Sequence, residues 1–169
     1  MVERIIGSFL CEKNKDIDFF LKKKALLFQR KNKAKTYFIL DEDELNRGIF
    51  NILGYFALST KVLHLPEELS KNQRKKIDGL YKSVSEISTF LIGQIAKNGY
   101  NKSKITGDEI LKYACYYILQ ASSIIGGRIV LVELVNNSKL IDFYNKNDFI
   151  LLPNKTENEE KLLQMIKII

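Results

Sequence analysis

From Asp16 to Phe28 the apolar residues Ile17, Phe20, Leu21, Ala25 and Phe28 fall on one helical face, with Lys22, Lys23 and Arg30 turned away. That spacing predicts an amphipathic helix. Lys24 projects into the apolar stripe, so it either snorkels at the edge or points into a site. Upstream, Arg4 to Phe9 is short and β-leaning and reads as a first strand. Lys35 to Asp41 reads as a strand, with the acidic run Asp41 to Glu44 as its turn. Ile52 to Ser59 is the next strand and pairs with it antiparallel.

Pro66 to Glu86 is polar and carries Lys71, Arg74, Lys75 and Lys76; it is either an inserted helix or a mobile loop. A strand follows at Phe90 to Ala96, then a short basic loop at Lys97 to Lys104, then a helix start at Thr106. Thr106 and Glu109 have capping-box spacing. The helix beyond presents Ile110, Leu111, Ala114, Cys115, Ile118 and Leu119 on one face, and Gly126-Gly127 ends it. Arg128 to Val135 is a near-continuous apolar run, hence a buried strand, and its crossover helix implies right-handed parallel pairing with the strand at Phe90. Ser138 to Asn147 is a short helix carrying Leu140, Ile141, Phe143 and Tyr144, and Phe149 to Leu152 a strand. The last stretch, Lys161 to Ile169, is a helix opened by Thr156 and Glu159 or a final strand; periodicity leaves both open. The whole reads as a single α/β (α+β) domain over residues 1–169.

Composition narrows this picture. A chain of 169 residues, 46% hydrophobic, can bury one proper core. No apolar run is long enough to span a bilayer and the N-terminus lacks a signal-peptide core, which places the chain in the cytoplasm with no membrane partner. Cys11 and Cys115 are then expected as free thiols, and their spacing excludes a cysteine-based metal site. The net charge of +7 is uneven: residues 1–35 hold ten Lys/Arg against four Asp/Glu, while the remainder is nearly balanced. Such asymmetry marks either a polyanion-binding surface or a solvated helix face.

The chemistry concentrates in Phe90 to Gly107. A strand feeding a helix through a loop of Lys, Ser and Gly makes an anion site. Donors at the helix start lack intrahelical partners, the dipole is positive there, and Lys102 and Lys104 add charge. A phosphorylated cofactor suits that site. His64, the only histidine, sits in a loop-like stretch before Pro66 and reads as a surface or packing residue. Glu133 interrupts an apolar strand, so it is either paired or faces a cleft.

Four stretches in order resemble the GNAT acetyltransferase superfamily, most nearly its toxin–antitoxin members. They are FLCEKNKDIDFFLKKKA (Phe9 to Ala25), GYFALS (Gly54 to Ser59), GQIAKNGYNKSKITGDEILKYA (Gly93 to Ala114), and GGRIVLVE followed by FYNKNDF (Phe143 to Phe149). The resemblance implies a GNAT fold: a mixed central sheet with a splayed parallel strand pair and helices on both faces. It implies acetyl-CoA as co-substrate, with no metal. Backbone groups at Ile95, Ala96 and Lys97 would hold the pantetheine arm, and Lys102, Ser103, Lys104, Ile105, Thr106, Gly107 and Asp108 the pyrophosphate. Against the family loop, Lys102 replaces Arg or Gln, Ile105 replaces Gly and Gly107 is retained, while Asp148 replaces a Gly before the last Phe. Tyr144 matches the general acid that protonates the departing CoA thiolate. Read on residues alone, Tyr144 is a core residue beside Ile141.

The implied activity is direct acetyl transfer to a primary amine, with the amino group of aminoacyl-tRNA as the toxin-like acceptor. The alternatives are a small-molecule or protein amine, a non-catalytic CoA-binding module, and a nucleic-acid-binding domain without cofactor. tRNA, an antitoxin protein and a second copy of the chain are the implied macromolecular partners.

Overall fold

The computed structural model describes residues 2–11, 14–101, 104–153 and 162–169, without the side chains of residues 2–4 and 101. Its elements are, in chain order, α1 (Val2–Gly7), α2 (Lys15–Phe19) running through a π-helical turn (Phe20–Lys24) into α3 (Ala25–Arg30), β1 (Lys35–Leu40), α4 (Glu42–Leu45) and β2 (Ile52–His64). After these come α5 (Lys71–Asp78), β3 (Glu86–Lys97), a 3-10 turn (Gly99–Asn101), α6 (Gly107–Ile125), β4 (Ile129–Leu134), α7 (Ser138–Asn145), β5 (Ile150–Leu151) and β6 (Leu163–Ile168). The six strands form one mixed sheet in the order β1-β2-β3-β4-β6-β5. β1 pairs antiparallel with β2, β3 parallel with β4, and β6 antiparallel with both β4 and β5.

The chain divides into two compact units, one of residues 1–59 and 93–117, the other of residues 60–92 and 118–169. In the first, Ile6, Phe9, Leu21, Ala25, Ile52, Tyr55 and Ala96 form the core. The expected strand at Arg4 to Phe9 is instead α1. A six-residue segment with only two β-branched residues, Ile5 and Ile6, suits helix or strand equally, and a helical turn sends both Ile6 and Phe9 into this core. Ser8 closes the turn, its N–H and hydroxyl both donating to the Ile5 carbonyl. Asn14 caps α2 by accepting from the Asp16 and Ile17 N–H groups at 2.9 and 3.3 Å. Lys24 is exposed, with its ammonium 5.4 Å from the Phe19 ring centroid, so it snorkels. The acidic segment is a one-turn helix capped by Asp41 rather than a bare turn.

Gly54 sets how closely α6 lies on β2, since a Cβ there would sit 2.6 Å from Ile110 Cδ1 and 2.9 Å from the Ala96 carbonyl oxygen. Of the predicted α6 face, Ile110, Leu111, Ala114 and Ile118 are buried. Leu119 is 49% exposed, one helical step too far round the wheel to reach the sheet.

In the second unit, Leu63, Leu65, Leu69, Ile77, Ile129, Leu131, Leu152 and Ile166 pack together. The open choice at Pro66 to Glu86 resolves as α5, opened by a full capping box between Ser70 and Gln73 and closed by Gly79 at φ 96°. Leu69 and Ile77 anchor it to the core. His64 is the last residue of β2 rather than part of a loop. Its Nδ1 lies 3.4 Å from Glu86 on an exposed surface. Gly126 and Gly127, at φ 78° and 100°, end α6 as expected. The C-terminal stretch is the strand β6, and Thr156 and Glu159 lie outside the described residues.

β3 carries one extra residue. The Asn98 N–H bonds the Leu53 carbonyl, and the Leu65 N–H bonds that of Ser85. Between those bonds β2 advances twelve residues and β3 thirteen. One extra residue on one strand of an antiparallel pair is a β-bulge.

Candidate active site

The cofactor candidates all belong to the first unit. Ala96 is buried in its core, Ile95 points to the other face of β3, and Lys97 ends the strand. Lys102 and Ser103 lie outside the described residues. α6 opens at Gly107, one residue after its predicted cap, with the reciprocal bonds the spacing foretold. The Thr106 N–H and hydroxyl each donate to Glu109 Oε2 at 2.7 Å, and the Glu109 N–H donates to Thr106 Oγ1 at 3.2 Å. Those bonds hold the Glu109 carboxyl below the usual carboxylate range, the Thr106 hydroxyl first.

Ile105 is buried. Its side chain therefore anchors the loop instead of crowding a ligand, which accounts for a β-branched residue in the family's glycine position. Lys104, expected as a cation for an anion, donates to the Asp41 carboxylate and lies 3.6 Å from Glu44. Asp41, 63 residues away in sequence, is buried and also accepts from the Glu44 N–H at 3.2 Å. Lys104 depresses the Asp41 carboxyl, and Asp41 raises the Lys104 ammonium. Sequence reasoning missed Asp41, since only the fold brings it to the loop. The donor set still fits a pyrophosphate: Gly107 offers a backbone approach without a Cβ at the start of a 19-residue helix. Lys104 is held by its carboxylates, Asp41 and Glu44.

Tyr144 belongs to the second unit, on α7, which Asn137 caps through the Leu140 N–H at 3.3 Å. Its ring is 6% exposed and lies edge-on to Phe143 and Phe149, with centroids 4.9 and 5.3 Å apart. Asp148 follows at φ 66°, a left-handed turn that a glycine would take without strain. Lys167 steadies that turn, donating to the Asn147 carbonyl at 3.0 Å and to the Asp148 carboxylate at 3.2 Å. Glu133 is paired, taking Lys61 at 2.6 Å on one oxygen and Gln164 at 2.9 Å on the other. Among the described residues no group of His, Cys, Asp and Glu could hold a metal ion, both cysteines are free thiols, and no helix is long and apolar enough to cross a membrane.

The chain superposes on solved toxin structures. AtaT complexed with acetyl-methionyl-tRNAfMet superposes with a TM-score of 0.74 at 20% identity, over 96% of this chain and 86% of that one. The chain has the GNAT fold of these toxins. A tyrosine-to-phenylalanine mutant of KacT gives 0.73 at 20% identity, again over 96% and 86%. The AtaT toxin bound to the C-terminus of its antitoxin AtaR and acetyl-CoA gives 0.68 at 18%, over 95% and 82%. No protein-family model matches the sequence, and a search of curated proteins finds no relative.

Proposed function

We propose that this chain is a cytoplasmic, acetyl-CoA-dependent N-acetyltransferase with one catalytic domain. Its acceptor is the amino group of an aminoacyl-tRNA. The observation that carries the proposal is the likeness, over nearly the whole chain, to toxins solved with acetyl-CoA and with acetylated methionyl-tRNA. The capped start of α6 supports it as an anion site, since donors at a helix start suit a pyrophosphate.

On this reading Gly107 and its neighbours Thr106 and Asp108 hold the pyrophosphate, with Lys104 and Lys102 contributing charge, and β3 at Ile95 to Lys97 holds the arm. Acetyl-CoA supplies the activated acyl group. The acceptor amine, once it has lost a proton to water, attacks the thioester carbonyl carbon. The C–N bond forms, the C–S bond breaks, and the Tyr144 hydroxyl gives its proton to the thiolate. The second proton of the amine nitrogen leaves through water, which returns a proton to the phenolate. No covalent enzyme intermediate is needed. By the same likeness an antitoxin protein is the expected regulatory partner, since AtaT is solved with the AtaR C-terminus.

Free-thiol release from acetyl-CoA tests the reading, with bulk charged tRNA in one reaction and uncharged tRNA in the other. Thiol is expected only with charged tRNA. Equal rates in both would exclude the aminoacyl acceptor, and no thiol despite acetyl-CoA binding would turn the search to other amines.

A further inference from the structure

The face of the sheet that carries the second unit's core changes character along its length. On β2 it reads Leu65, Leu63, Lys61; on β4 Ile129, Leu131, Glu133; on β6 Ile168, Ile166, Gln164. β4 and β6 are held in register by Glu133↔Gln164, Leu131↔Ile166 and Ile129↔Ile168. Glu133 and Gln164 are therefore cross-strand neighbours at one end of this face, and Lys61 reaches them from β2. They are bonded to one another: the Lys61 ammonium to Glu133 Oε2 at 2.6 Å, and the Gln164 amide to Glu133 Oε1 at 2.9 Å.

That end is the carboxyl end of the parallel pair, where open α/β sheets receive their ligands. The parallel register stops at Ile92↔Val132, so Glu133 is the first β4 residue past it. Sheet stability gives no reason for a carboxylate here. A sixth apolar residue on β4 would extend the core, whereas the charge must be compensated by a lysine reaching from β2. Nor is the group sealed in: the side chains are 17% exposed for Glu133 and 43% for Lys61.

We infer that the Lys61–Glu133–Gln164 cluster is a recognition site for a primary ammonium, with Glu133 as the positioning residue for the acceptor of the proposed transfer. This rests on the acetyltransferase reading. Lys61 is a primary ammonium at hydrogen-bond distance, so it occupies the place the acceptor's own ammonium takes. Its exposed, flexible stem lets it swing out, and one cation replaces another without stranding the carboxylate. Gln164 fixes the second oxygen and hence the direction in which Glu133 presents its free lone pairs. Glu133 holds and aims the amine and forms no bond to carbon.

The test is a nuclear magnetic resonance titration of the full chain with L-methioninamide, which has a free ammonium, and with N-acetyl-L-methioninamide, which has none. Acetyl-CoA is titrated separately. Wild type should bind the amine and not its acetylated form. Glu133→Gln should weaken amine binding about tenfold or more, the loss of a charge-assisted bond, while still binding acetyl-CoA. Lys61→Met should tighten amine binding by vacating the site. Unchanged amine affinity in Glu133→Gln, or no amine binding by wild type, overturns the inference and leaves the acetyltransferase reading standing. Absence of acetyl-CoA binding overturns that reading instead, and the amine titration still decides this one.

Discussion

Tyr144 is buried, yet it carries a hydroxyl on a ring that Phe143 and Phe149 already clamp edge-on. A purely structural residue there loses little when the oxygen alone is removed, because the ring contacts remain. A general acid loses its chemistry. Tyr144→Phe should therefore lower kcat by about 10²–10⁴-fold and leave acetyl-CoA affinity near wild type. Equal kcat in steady-state thiol release would return Tyr144 to the core. The Asp41–Lys104 pair makes a second prediction at this scale. The Asp41 carboxyl lies below its unfolded value of 3.8 in the folded chain, so its contribution is whole above that value and is lost as pH falls through the folded one. The Lys104 ammonium is raised, so its share is kept at neutral pH and lost only at strongly alkaline pH. The Tm gap between wild type and Asp41→Asn should be full at neutral pH and begin to narrow only below about pH 4. Melting curves across pH 3–7 check it, and a gap independent of pH would mean that Asp41 acts only as the cap of α4.

At the scale of elements, what the sequence revealed was what neighbours along the chain decide. The Thr106–Glu109 box and the Gly126-Gly127 stop are both written within a few residues, and both are found where they were read. α1 was misread as a strand because so short a segment has no periodicity to separate the alternatives, and the choice fell to the distant core that takes Ile6 and Phe9. The Ser70–Gln73 box of α5 was equally local but was passed over amid charged residues, with only Leu69 and Ile77 to anchor the helix. The β3 bulge, the Asp41–Lys104 pair and the Glu133 partners join residues far apart in sequence, so no local pattern announces them. Gly54 lies between these cases. It was noticed as part of a glycine-aromatic strand, but its reason is the approach of Ile110 and of the Ala96 backbone. Gly54→Ala should accordingly cost about 1–3 kcal/mol, because the Ile110 tip can shift and the carbonyl cannot. Chemical denaturation would show this as a lower midpoint at unchanged slope; an unaltered midpoint would mean that α6 can move off β2 freely.

At the scale of the whole chain, charge separates the remaining readings of the acceptor. The net charge is +7 and its excess lies mainly in residues 1–35, where Lys22, Lys23 and Lys24 are exposed on the turn joining α2 and α3. Among the described residues only Lys22 has an ion-pair partner there, Asp18 at 2.8 Å. A second exposed group, Lys71, Lys75 and Lys76, lies on α5, whereas Arg74 is spent inside, donating to the carbonyls of Leu69, Val84 and Pro66. A small amine or a protein N-terminus gives such lysines no phosphates to meet, and transfer to it should vary weakly with salt. A tRNA acceptor displaces counterions at every contact, so affinity falls linearly in log–log form, by about 0.7–0.9 of a unit of slope for each phosphate neutralised. Fluorescence anisotropy with labelled tRNA between 50 and 300 mM KCl, as an order-of-magnitude range for such screening, should therefore give a steep line. Lys22→Glu with Lys23→Glu should flatten it by about two contacts, while Arg74→Gln should leave the slope alone. A flat line for wild type would make the lysines a solvated helix face and remove tRNA as the acceptor, with the acetyl-CoA chemistry untouched.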